Sequence, residues 1–110
     1  MSFFDSEIVR SEMVEISELQ EQLYNTVFKF PSFNKEEKIR HIELMEKLLE
    51  KQRVLYTRLS LSDDKQAKEM VSKISESTKL MGLDSNVDIS VLFGNMVKLI
   101  QSMKNNIINN

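Results

Sequence analysis

The sequence predicts an all-α protein, a three- or four-helix bundle built on a long antiparallel hairpin of helices one and two. Three observations carry this expectation. Breakers are scarce, with two glycines and one proline in 110 residues, which favours long uninterrupted elements. Apolar residues recur at helical spacing along most of the chain. Asn34-Lys-Glu-Glu37 has the form of a capping box, in which the Asn side chain and the Glu three residues on satisfy the free N–H groups of a helix start.

Asp5 or Ser6 is placed to cap the first helix, and Val9, Met13, Ile16, Leu23 and Val27 follow on one face with Leu19 beside them. Glu7, Glu12, Glu15, Glu18 and Glu21 occupy the other face. Pro31 disfavours helix at Phe30, so the helix is expected to end near Phe28.

The second helix starts at Asn34 and is expected to cover residues 35–59. Ile42, Leu49 and Tyr56 form one heptad row, Met45, Gln52 and Leu59 a second, and Leu48 and Leu55 a third. Two rows suffice for a two-stranded coiled coil, whereas three make a stripe wide enough for several neighbours. Ile42, Leu49 and Leu59 are expected in the core against Met13, Ile16 and Leu23. Glu36–Arg40 and Glu43–Lys47 are i,i+4 pairs in the favourable order. Residues 1–30 carry a net charge of −4 and residues 31–58 a net +2, which favours antiparallel pairing of the two helices across a short connection.

Ser62-Asp-Asp64 marks a third start, followed by a weaker stripe of Ala67, Met70, Val71, Ile74, Thr78 and Met81. Gly82 is the expected stop. Asp84 or Ser85 is the expected cap of a last helix carrying Ile89, Leu92, Phe93, Met96, Leu99, Ile100 and Met103, with residues 105–110 read as a frayed tail. Residues 1–110 are read as one helical domain.

Composition excludes several classes. Hydrophobic residues at 41% and charged residues at 29% describe a globular chain. The net charge of −2 supplies no general attraction to nucleic acid or acidic membranes. The absence of cysteine excludes disulfides and thiolate metal sites. Met1-Ser-Phe-Phe-Asp-Ser-Glu7 lacks a basic stretch and a long apolar run, so no signal peptide is expected. No segment approaches the roughly 18 apolar residues of a membrane span.

No catalytic, cofactor-binding or metal-binding residue stands out. His41 is the only histidine; a metal site needs three or four ligands, so a surface histidine is the reading. The carboxylates are scattered along helix faces, without the opposed pair of a hydrolase. Lys35, Lys38, Arg40, Lys47, Lys51, Arg53 and Arg58 make helix two locally basic, but Glu43, Glu46 and Glu50 interrupt the stripe and argue against a nucleic-acid surface. Phe28, Phe30 and Phe33 concentrate three aromatic rings at the first turn. Two readings stand: a plug closing the bundle, or an aromatic anchor where a partner docks. Phe3 and Phe4 pose the same choice on a smaller scale.

Two stretches carry a resemblance: Phe3-Phe-Asp-Ser-Glu-Ile-Val9, and Phe33-Asn-Lys-Glu through Ile42-Glu-Leu-Met-Glu46, Arg53 and Leu59-Ser-Leu-Ser-Asp63. They resemble a family of small uncharacterised helical proteins of cyanobacteria and their phages, over roughly the first two-thirds of the chain. The resemblance implies such a source and a cytoplasmic setting. It implies no activity, cofactor or site residue.

The expectation for function is therefore an interaction module without catalytic activity, an adaptor or regulator that binds another protein. The alternative is a nucleic-acid or transcription-associated factor using helix two. Self-association is a further expectation, because Gln52 is polar within an otherwise apolar seam and such a residue can fix register.

Overall fold

The computed structural model of the protein describes residues 3–80 and 89–109. After a 3-10 turn at Phe3–Asp5 come α1 (Glu7–Thr26), a 3-10 segment (Val27–Ser32), α2 (Lys35–Leu61), α3 (Lys65–Leu80) and α4 (Ile89–Asn109). The fold is all-α, with no strand among the described residues. Gly82, Asp84 and Ser85, the expected stop and caps, lie outside those residues.

Ser6 caps α1, its hydroxyl accepting from the Val9 N–H at 3.5 Å. The helix ends at Thr26, two residues before the expected boundary. The Thr26 hydroxyl bonds the Gln22 carbonyl at 3.1 Å, a local bond that competes with helix continuation. The chain then tightens into a 3-10 segment that passes through Pro31 rather than stopping before it. Its shorter repeat tolerates the fixed proline φ for a few residues. The capping box at the start of α2 is complete. Asn34 Oδ1 accepts from the Glu37 N–H at 2.8 Å, and Glu37 Oε1 accepts from the Asn34 N–H at 3.3 Å. With 27 residues, α2 is about 40 Å long.

The long helix is the spine of the molecule, and α1 and α4 both run antiparallel to it on different sides. Thr26, at the end of α1, meets His41 near the start of α2. Near its beginning, α1 meets the far half of α2 through the ion pairs Glu12–Arg58 (3.1 Å) and Glu15–Lys51. Across from α4, Phe93 packs on Tyr56 with ring centroids 6.0 Å apart. Lys104 reaches Glu43 and Glu46, each at 3.6 Å. Ile42, Leu49 and Leu59 are buried as the stripe predicts. Their partners differ from expectation: Ile42 and Leu49 pack with Ile100 of α4, joined by Phe30, Met45, Phe93 and Val97. Of the expected α1 partners, Ile16 is buried and Leu23 half-buried, but Met13 is exposed. The most apolar face available to α2 belongs to α4, which has two charged residues, Lys98 and Lys104.

The tail is also better held than its position suggests. The helix continues to Asn109, Ile107 packs against the core, and Lys35 Nζ donates to the Ile108 carbonyl at 2.9 Å. At the other end the Phe3 N–H donates to Asp64 Oδ2 at 2.7 Å, tying the N-terminal turn to the start of α3. Phe3 and Phe4 stack edge to face, 5.2 Å apart.

The result is open rather than spherical. The radius of gyration is 16.0 Å, against about 13 Å for a compact domain of this length. The shortest dimension is 20 Å, two helix diameters.

Candidate functional site

The three heptad rows of α2 have different fates. The row of Ile42, Leu49 and Tyr56 meets α4. The row of Leu48 and Leu55 lies toward α1, on the side marked by the ion pairs of Lys51 and Arg58. Between them Met45, Gln52 and Leu59 form the floor of a groove whose walls are α1 and α4. Two cavities follow it. One, of about 420 Å³, is lined by Leu23 and Tyr24 of α1, Val27 of the 3-10 segment, Met45, Leu49 and Gln52 of α2, and Met96 and Ile100 of α4. The other, of about 290 Å³, continues past Gln52 to Leu59 and is closed at its far end by Phe3, Phe4 and the α3 residues Met70 and Ile74. Gln52 lines both cavities, so they adjoin end to end along α2 as a mostly apolar trough with Gln52 at the junction. From His41 to Leu59 it extends along α2 for about 27 Å.

The wall residues facing the trough are uncharged. Met13, Gln20 and Tyr24 contribute from α1, and Met96 from α4. Leu92, Leu99 and Met103 continue the α4 stripe at spacings of four, three and four residues. Tyr24 is 77% exposed and Leu99 63% exposed. Large apolar side chains left open in a contiguous strip mark an interaction surface more often than isolated ones do.

The aromatic turn is divided by the structure. Phe28 stands in solvent, 88% exposed. Phe30 and Phe33 are half-buried and come together 6.1 Å apart, over His41. His41 itself corrects the expectation of a surface residue: it is 7% exposed. The 3-10 segment folds Phe30 (5.2 Å) and Phe33 (6.1 Å) against the imidazole, and Thr26 Oγ1 shares a hydrogen bond with Nδ1 at 3.1 Å. His41 stands seven residues before Leu48, in register with the Leu48–Leu55 row, but heptad counting could not foresee that a turn would cover it.

Burial holds the His41 imidazole below the ordinary histidine pKa. The folded state therefore favours the neutral ring, and on acidification the unfolded chain takes up the proton first. The stability tied to this group is complete above about pH 6.5 and is lost as the pH falls below that value. Thermal melts of the wild type should show a decline between about pH 7 and pH 5.5 that His41→Asn lacks. The slope difference is at most about 1.4 kcal/mol per pH unit. Parallel profiles for the two proteins would refute it.

Three of the seven basic residues of α2 are held in ion pairs. Lys51 pairs with Glu15 and holds that carboxyl below its usual range. Arg58 pairs with Glu12, and Arg53 takes both oxygens of Glu50. Among the described residues no three His, Cys, Asp or Glu side chains converge as metal ligands. Among the described residues no helix is long and apolar enough to cross a membrane. The trough was missed in the sequence, although its signal was there: three apolar rows on α2 call for more neighbours than two.

Neither the curated proteins nor the solved structures contain a match to this chain. The family model of a domain of unknown function, DUF1825, matches residues 1–107. With nearly the whole length covered, the chain belongs to the DUF1825 family.

Proposed function

We propose that this protein is a non-catalytic helical interaction module of the cytoplasm, and that the trough between α1 and α4 is its binding surface. The single observation that carries the reading is the apolar trough left open between α1 and α4, floored by the half-buried Met45 and Gln52 and walled by Tyr24 and Met96, both exposed. A helix laid in such a groove, reading as apolar residues every third or fourth position, is a recurrent mode of protein recognition. It would complete the neighbours that the three heptad rows call for. Binding of nucleic acid through α2 has less support, because Lys51, Arg53 and Arg58 are neutralised by Glu15, Glu50 and Glu12.

The test is affinity capture from source cells with tagged wild type and with Met96→Glu, each checked for an unchanged helical melt. A charge in the trough should remove the captured partner, because an apolar helix cannot solvate it. Equal capture by both proteins would reject the trough as the binding surface.

A further inference from the structure

Resting on that reading, the occupant of the trough can be narrowed by area, charge and shape. The protein exposes 8001 Å², whereas a folded monomer of 12.9 kDa exposes about 6,300 Å². The excess is about 1,700 Å². A standard protein–protein interface removes about 800 Å² from each partner, so the openness of the fold is large enough to contain one.

Charge decides which face can meet its own copy. Charged residues are 29% of the chain. Pairing two copies through the outer face of α1 would set Glu7, Glu18 and Glu21 against themselves. The trough and its walls bring no such conflict. On α4 the residues that line the trough are Ile89, Phe93, Met96 and Ile100, with Leu99 exposed beside them, while Lys104 is turned away to Glu43 and Glu46. An acidic or basic partner would find nothing to pair with there, whereas the same uncharged face on a second copy is compatible with it.

Shape supplies the arrangement. α4 is a wall of its own groove and also a ridge with an exposed apolar stripe. A twofold axis allows the ridge of each copy to enter the groove of the other, the isologous geometry of most homodimers. The two α4 helices then cross antiparallel near Met96 and Leu99. Gln52, midway along each floor, is the one polar residue of the row of Met45, Gln52 and Leu59. A polar residue at a single position of a helical seam sets register.

We infer that the protein is a symmetric homodimer in which α4 of each copy occupies the α1–α4 trough of the other. Sedimentation equilibrium across low to high micromolar concentrations should give a dimer for the wild type and for Leu61→Glu. Leu61 is 79% exposed and does not line the trough. Met96→Glu should weaken association at least tenfold with its helical melt retained. Because the chain has no cysteine, Leu99→Cys gives a clean second readout. It should form a disulfide-linked dimer under mild oxidation, and Leu61→Cys should not.

A wild type that stays monomeric throughout overturns the inference. So does a dimer indifferent to Met96→Glu, or one that links equally through both cysteines. A monomer that still loses a captured partner on Met96→Glu removes only the second copy as occupant and leaves the trough a binding site. A monomer whose capture is unaffected removes both.

Discussion

Ile42→Ala should cost about 2–5 kcal/mol of folding stability, the range of large-to-small changes at closely packed core sites. Ile42 is 0% exposed and packs with Leu49 and Ile100 where α2 and α4 meet. Phe30 packs against the same cluster, so the cavity left by truncation opens beside the aromatic turn as well. The fold exposes more surface than a compact domain and has few other fully enclosed side chains to absorb the loss. A melting temperature lowered by roughly 10 °C or more is the expected result. An unfolding free energy from urea titration within about half a kcal/mol of wild type would show that α4 does not dock on α2 as described.

The second large effect is expected at Phe30, and it separates the two readings of the aromatic turn. Phe30 is half-buried, packs against the Ile42–Leu49–Ile100 cluster, lies against His41 and carries Lys38 Nζ over its ring at 5.8 Å. Phe30→Ala should cost about 1.5–3 kcal/mol, roughly half the value for a fully buried phenylalanine. Phe28→Ala should stay within about 0.5 kcal/mol, as exposed positions do. Unfolding curves for the two variants, run beside partner capture, make the comparison. If Phe30→Ala melts like wild type yet loses its partner, the turn is a docking anchor and the plug reading fails. A large fall in melting temperature assigns Phe30 to the core and leaves Phe28 as the ring of that turn free to meet a partner.

These two sites show what could be read from residue order and what could not. The second helix was legible because independent local signals agreed: the Asn34–Glu37 box at its start, heptad repetition along it, and Ser62-Asp-Asp64 after it. Burial of Ile42, Leu49 and Leu59 followed from periodicity alone. The partner of each row did not. Periodicity states that a face is apolar and is silent about which other apolar face covers it, so Ile42 was paired with α1 when Ile100 of α4 covers it. His41 was misread because its cover comes from Phe30 and Phe33, which belong to a turn rather than to a periodic element. The trough was not legible: residue order shows Met45 and Gln52 in one row, but that they stay half-open between α1 and α4 is a property of the assembled helices.

The spine role of α2 bears on which changes of chain length the fold can accept. Each residue of an α-helix turns the following ones by about 100°. A single residue inserted between Ile42 and Leu49 would leave Ile42 facing α4 and swing the downstream rows by that angle, so Leu49 and Tyr56 would no longer lie under Ile100 and Phe93. The same insertion would carry Lys51 and Arg58 away from Glu15 and Glu12. Two interfaces and the trough floor would fail together, because all three are written on one cylinder in fixed angular order. The Ser62–Asp64 connection carries no such phase, and length variation is expected to accumulate there, tempered by the bond that Asp64 makes to the Phe3 N–H.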